Sequence, residues 1–223
     1  MTENAENQQG KELFNAIAEG ACLDIEALLA STPTLAGSRN EHGLSPIMWA
    51  LYNRQTEAAG RLLVCGCKPD TFEACALGDQ DTVARAVESD PGFLERKAPD
   101  GFTLLHLACF FAHEALAGHL IEAGSDVNAM ADNPAQVAPL HSAAAGSSTP
   151  IVARLLEAGA DPNSTQAGGY TALMSAVMQG NREMVVALLG AGATSDITAA
   201  DGRTALGIAT SSERDDLIAL LTL

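Results

Sequence analysis

Aromatic residues are scarce in this chain of 223 residues: six Phe, two Tyr and one Trp make up 4% of it, although hydrophobic residues reach 47%. A core that rests on Ala, Leu and Val suits helices stacked at close range. Basic residues are also few. Twelve Lys plus Arg face twenty-eight Asp plus Glu, a formal charge of −16 that disfavours DNA, RNA and anionic membranes as partners. Such a field favours a basic partner where it has a functional role, and otherwise serves solubility. No apolar run approaches the ~18 residues of a membrane span, and the N-terminus has neither the basic start nor the apolar core of an export signal. The expected location is therefore cytoplasmic. The five cysteines, an odd number, form no disulfide framework, which agrees with a reducing compartment.

Catalytic signatures are missing as well. The chain has no nucleophile elbow, no phosphate-binding glycine loop and no metalloprotease motif, so an enzyme has no residues to stand on, and neither catalytic residues nor a cofactor is expected. Cys65-x-Cys67 with Cys75 downstream has the outline of a zinc site. However, Cys75 and Cys109 fall at the small inner helix position that Ala144 fills elsewhere, and they read as buried small hydrophobes, so no metal is expected. Asn163-Ser164-Thr165 matches a glycosylation acceptor, but in a cytosolic chain it reads as turn chemistry.

What the chain does have is repetition. Asp100-Gly101-Phe102-Thr103-Leu104-Leu105-His106-Leu107-Ala108 recurs as Gly168-Gly169-Tyr170-Thr171-Ala172-Leu173-Met174-Ser175-Ala176 and as Asp201-Gly202-Arg203-Thr204-Ala205-Leu206-Gly207-Ile208-Ala209. A second element trails each copy: Leu120 to Asn128 (LIEAGSDVN), Leu155 to Asn163 (LLEAGADPN) and Leu188 to Ala193 (LLGAGA). The spacing is 35 residues from Leu120 to Leu155 and 33 from Leu155 to Leu188, a period that belongs to a stacked array. Thr103 stands where a helix N-cap is wanted, and Pro46 and Pro139 suit the first helical position, where a missing donor costs nothing. Leu105, Ala108 and Cys109 give the first short helix a tight inner face, and Leu116, Leu120 and Ile121 mark a second helix. Gly124, Gly159 and Gly192 follow that second helix, where a left-handed residue closes it, and the Asp and Asn beyond suit a turn.

The first half carries a longer repeat. Phe14 and Phe72, Gly20 and Gly78, Ser31 and Ser89, Pro33 and Pro91, Gly43 and Gly101, Leu62 and Leu120, and Gly66 and Gly124 all stand 58 residues apart with no gap. Two blocks in tandem are implied. In each, the first unit ends in a long loop (Ser31 to Glu41, Ser89 to Pro99). Between the blocks, from Gly66 to Gly78, the connection is about nine residues shorter than the equivalent step later in the chain, which predicts a notch near Lys68 to Thr71. Ordinary degeneration of a repeat would leave the same mark. Seven units result, at about 11–41, 42–69, 70–99, 100–133, 134–167, 168–200 and 201–223. Residues 1–10, polar and poor in apolar groups, are expected to form a disordered tail.

These motifs resemble the ankyrin repeat from about Lys11 to the C-terminus. The resemblance implies one all-α repeat solenoid, an ankyrin-repeat stack of about seven helix-turn-helix units with hairpin loops, over 11–223. It also implies that His106 and His141 hydrogen-bond within and between loops, and that the variable positions of each first helix lie on a concave side. Those positions are Trp49 and Tyr52, Glu73 and Ala76, Leu107 and Phe110, Ser142 and Ala145, and Ser175 and Met178, with Asn53, Leu77, Phe111 and Gln179 extending the row. Leu44, Phe102, Val137, Tyr170 and Arg203 project from the preceding turns. Trp49, Tyr52, Phe102, Phe110, Phe111 and Tyr170 are six of the nine aromatic residues of the chain. Apolar groups left on such a surface anchor interfaces. The resemblance and the aromatic row together lead to a non-enzymatic protein-interaction scaffold whose partner-binding residues are Trp49, Tyr52, Asn53, Phe102, Leu107, Phe110, Phe111, Tyr170 and Met178. Its partner would be a protein or peptide, with no nucleic acid and no membrane. Two alternatives are an acidic inhibitor or mimic of a basic partner, and a small-molecule site in the notch around Trp49, Tyr52, Phe72 and Phe110.

Overall fold

The computed structural model describes the backbone of residues 2–222 and the side chains of residues 7–222. Among the described residues there are fourteen α-helices and no strand. They run in pairs: α1 (Thr2–Glu19) and α2 (Cys22–Ser31), α3 (Pro46–Tyr52) and α4 (Thr56–Val64), α5 (Thr71–Leu77) and α6 (Gln80–Ser89), and α7 (Leu104–Phe110) and α8 (Glu114–Glu122). The remaining pairs are α9 (Pro139–Ala145) with α10 (Thr149–Glu157), α11 (Ala172–Gln179) with α12 (Arg182–Gly190), and α13 (Ala205–Ser211) with α14 (Asp215–Leu221). The fold is an all-α repeat stack. The helices gather into two compact bodies, one through Val83 and the other from Ala84. In the second body α7, α9, α11 and α13 pack side by side, as do α8, α10, α12 and α14. In the first body α1, α3 and α5 form one row and α2 and α4 the other.

The local chemistry of each pair follows the sequence. Ser45, Asp70, Thr103, Thr171 and Thr204 cap the first helices, each side chain accepting from a backbone N–H of the first turn, with Pro46 and Pro139 at the start of α3 and α9. Gly124, Gly159 and Gly192, just beyond the second helices, have φ of 95°, 91° and 92°. Leu105, Ala108, Cys109, Leu116 and Leu120 are buried, and so are Ala144 and Cys75.

The 58-residue duplication is visible in the backbone. A 3-10 turn at Pro33–Gly37 has its counterpart at Pro91–Leu94. The turn that closes Asn40 N–H onto Leu44 O at 3.0 Å and Gly43 N–H onto Asn40 O at 2.9 Å returns as Ala98 to Phe102 and Gly101 to Ala98, both at 2.8 Å. Only residues 65–70 join α4 to α5, whereas residues 158–171 join α10 to α11.

The polar segment expected to be a tail is helical. α1 extends back to Thr2, because it continues a helix anchored by buried Leu13, Phe14 and Ile17, and Gln9 accepts the Thr32 hydroxyl at 3.1 Å. Met1, at the head of that segment, lies outside the described residues.

Candidate partner-binding site

Successive units of the second body are laced by their loops. Asp132 N–H donates to Gly101 O at 2.9 Å, Ala167 N–H to Ala135 O at 2.8 Å, and Ala200 N–H to Gly168 O at 2.8 Å. Asn128 and Asn163 reach forward in the same manner: their Nδ2 groups donate to Gly159 O and Gly192 O, and their Oδ1 atoms accept from Asp161 and Thr194 N–H. Asn163 is therefore occupied in turn chemistry. His106 accepts the Thr103 N–H on Nδ1 at 3.3 Å and donates from Nε2 to Val137 O at 2.9 Å. Burial holds its pKa down to about 4, against the pull of the backbone acceptors. His141 takes the Ala138 N–H on Nδ1 at 3.1 Å, and burial lowers its pKa as well. Its Nε2 lies toward the backbone of Tyr170 and Ser164 without a well-formed bond. His106 thus ties its own turn to the next loop, and His141 is bonded to its own turn.

On this rigid support the ends of the first helices present side chains. Phe110, at the end of α7, is 39% exposed and meets half-buried Phe111 edge to face, with centroids 5.1 Å apart and planes at 88°. The Phe111 ring in turn stacks on His113 at 6.4 Å. Met178, at the matching place on α11, is 57% exposed. Exposed Ala145 holds that place on α9, the helix packed between them. Large apolar groups thus flank a small one on three adjacent helices. The approach of α9 to α7 is close: a Cβ on Gly146 would stand 2.5 Å from Phe110 O and 2.6 Å from Cys109 O.

The turns before these helices hold Phe102 and Tyr170, both half-buried. The Phe102 ring lies against His106 at 5.7 Å. The Tyr170 hydroxyl donates to Asp201 Oδ2 at 2.6 Å, a bond that raises the tyrosine pKa and lowers that of the carboxyl group. Leu107 differs from expectation. It is 1% exposed and belongs to the core, because α9 packs on α7 and covers it; Ser142, one unit on, is buried as well.

In the first body Trp49 is half-buried, and its indole N–H donates to Phe14 O at 2.9 Å. Its ring meets Phe14 edge to face at 6.5 Å. Tyr52 ends α3 half-buried, and exposed Asn53 caps the helix, its Nδ2 donating to Trp49 O at 2.8 Å. A groove of about 710 Å³ opens beside Trp49 between α1, the Pro33–Gly37 turn and the loop 38–42. Its lining includes neither Phe72 nor Phe110, the residues expected around a notch site. Lys11 and Arg39 stand at its edge, and the sequence marks them only as two of twelve basic residues in an acidic chain. Leu23 and Val64 on α2 and α4, 80% and 83% exposed, went unnoticed in the sequence.

None of the five cysteines forms a disulfide, and Cys67 is 4% exposed, its thiol pushed up to about 11 by burial and then by neighbouring Cys65 and Glu73.

Helix pairs closed by left-handed glycines, capped by Thr, Ser or Asp, and laced loop to loop define a helical repeat protein. The family model of ankyrin repeats (3 copies) matches residues 71–166 and 140–222, and the chain belongs to the ankyrin-repeat family. Members of this family generally mediate protein–protein interaction and are typically not enzymes. The chain is 34% identical over 110 residues, 48% of its length, to palmitoyltransferase AKR1 of Kluyveromyces lactis. It is 30% identical over 120 residues, 53% of its length, to BCL-6 corepressor-like protein 1 of Homo sapiens. It aligns with 14% of the first relative and 7% of the second. Among the described residues, no helix is long and apolar enough to cross a membrane.

Proposed function

We propose that the chain is a non-enzymatic scaffold that binds a partner protein or peptide along the first-helix ends of its second body. Phe110, Phe111 and Met178 are the apolar anchors, and Phe102 and Tyr170 border them from the preceding turns. The observation that supports this reading is the exposure of Phe110 and Met178 in one register on α7 and α11, with Ala145 between them. The repeat needs no large apolar group there: the corresponding residue of α13 is Ser211, also exposed. Burying one such side chain against a partner contributes about 1.5–3 kcal/mol, enough to make two of them decisive for a micromolar complex. In the first body Trp49, Tyr52 and Asn53 hold the equivalent stretch and give it a contact surface of its own.

A basic partner suits the charge, since acidic residues outnumber basic ones by sixteen. A reducing, cytoplasmic setting suits five cysteines that form no disulfide. The test is affinity capture from lysate with the native chain and with the Phe110→Ala, Met178→Ala double variant. The variant loses the specifically captured protein while its helical circular dichroism and melting temperature stay as in the native chain. Equal recovery by a folded variant refutes this surface as the binding site.

A further inference from the structure

The groove beside Trp49 is built independently of the helix-end row, and its chemistry is different. Three elements wall it: α1 contributes Lys11, Phe14 and Asn15, the Pro33–Gly37 turn contributes Leu35, and α3 contributes Trp49. They are tied to one another. The Thr32 hydroxyl donates to Gln9 Oε1, the Ser38 hydroxyl donates to Leu35 O at 2.7 Å, and the Trp49 indole donates to Phe14 O. The rim loop is closed on itself, because Asn40 Oδ1 accepts from both His42 N–H at 3.0 Å and Leu44 N–H at 2.9 Å. The groove is therefore formed before any ligand arrives, and its volume of about 710 Å³ falls within the roughly 300–1,000 Å³ of small-molecule sites.

Its floor is apolar: Phe14 and Leu35 are buried, and Trp49, its N–H already bonded, can offer a ligand only ring surface. Its rim carries charge of both signs. Lys11, Arg39 and His42 stand there with a single acidic side chain, Glu41, which lies 3.6 Å from His42 Nε2. Arg39 touches Glu73 at 3.5 Å but keeps 48% of its side chain exposed. Lys11 is exposed, with no ion pair among the described residues. With Glu41 and the Arg39-bound Glu73 set against Lys11 and Arg39, the rim is balanced in charge within a chain of formal charge −16, and Lys11 is its unpaired cation among the described residues.

The internal duplication shows that folding does not demand Lys11, His42 or Trp49 at these places, whereas Lys97, Phe72 and Phe93 keep the character of Arg39, Phe14 and Leu35. Fifty-eight residues on, Pro69 replaces Lys11, Asp100 replaces His42 and Leu107 replaces Trp49, and the same backbone turn forms at 98–102. We propose that the groove binds a small carboxylate ligand with an apolar or aromatic body, the carboxylate held by Lys11 and Arg39 and the body laid on Trp49, Phe14 and Leu35. Unpaired Lys11 and the exposed half of Arg39 favour an anion over a cation, and the ring floor favours an apolar body over a bare ion.

Trp49, the sole tryptophan, reports occupancy directly through its fluorescence. The probes are 4-phenylbutyrate, its neutral amide and 4-phenylbutylamine, titrated into the full chain at low salt. The carboxylate produces a saturable change, the amide binds at least about 5-fold more weakly and the amine produces none, as a charge-assisted contact requires. Lys11→Gln and Arg39→Gln each raise the Kd about 3-fold, and together about 10-fold, with the emission maximum of the free protein unchanged. Absence of saturation up to about 10 mM, equal binding of all three probes, or native affinity in the double variant overturns the proposal. The readout does not involve Phe110 or Met178, so it is separate from the scaffold reading.

Discussion

The imidazole of His106 does two jobs at once, accepting the Thr103 N–H on one nitrogen and bridging to Val137 O with the other. Accepting on Nδ1 requires the neutral ring, and burial enforces it by lowering the pKa from 6.5 to about 4. Because the folded-state value lies below the unfolded one, the stabilisation is complete above pH 6.5 and is lost as pH falls toward 4. At pH 5 the loss from His106 alone is about 2 kcal/mol, taking 1.36 kcal/mol per pKa unit. Replacing both His106 and His141 by Gln lowers stability at pH 7.5 but removes this acid sensitivity. Urea unfolding at pH 7.5 and pH 5 checks it, since carboxylate effects are common to both proteins; parallel pH slopes would refute the histidine origin. Glycine at 146 is a second single-residue dependency. Gly146→Ala forces α9 away from the carbonyls of Cys109 and Phe110 and costs about 1–3 kcal/mol as an overpacked contact. Gly124→Ala meets open space and costs only the left-handed backbone, about 1 kcal/mol. Thermal melts of the two variants rank these costs, and a harmless Gly146→Ala would show that the helices can part.

At the scale of elements, most of the helix pairs could be read from the chain because their ends carry their own chemistry: Thr103, Thr171 and Thr204 at the starts, Gly124, Gly159 and Gly192 beyond the finishes. α5 lacks that threonine signature, and its start is fixed instead by Asp70 and Glu73. Asp70 Oδ1 accepts from the N–H groups of Phe72 and Glu73 at 2.9 Å, and Glu73 Oε2 accepts from Asp70 N–H at 2.8 Å. The Asp-x-x-Glu spacing of this capping box was present in the sequence and stands directly on the shortened connection. Asp70→Ala therefore costs about 1 kcal/mol, measurable by denaturant unfolding, and an unchanged midpoint would mean that packing alone holds the start of α5. The N-terminal end of α1 was not legible, because Asn7, Gln8 and Gln9 show no apolar period and are helical only as a continuation of the turns holding Leu13 and Ile17. The site was legible in part. Helical spacing puts Leu107 and Phe110 on one face, but only the packing of α9 decides that Leu107 is covered while Phe110 remains open.

For the whole molecule, charge is the dominant unsatisfied quantity. If every Lys and Arg paired with a carboxylate, sixteen acidic groups would remain. Surface pairs such as Arg61–Glu26 at 2.7 Å and Arg96–Asp90 at 2.6 Å contribute about 0.5 kcal/mol each and weaken in salt. Repulsion among the excess carboxylates acts throughout and is screened over the same range, as the Debye length falls from ~30 Å at 0.01 M to about 8 Å at 0.15 M. Repulsion wins by number, so raising NaCl from ~10 mM to ~300 mM lifts the melting temperature by a few degrees. A falling melting temperature would mean that the ion pairs matter more than the excess. The same field makes a distinct prediction for the captured partner. If that partner is basic, its association rate drops about 10-fold or more across this salt range, while its dissociation rate, set by Phe110 and Met178 on the proposed reading, changes little. Stopped-flow binding at several salt concentrations separates the two rates. A salt-independent association rate would leave the apolar row as the basis of recognition and remove the acidic coat from any role in it.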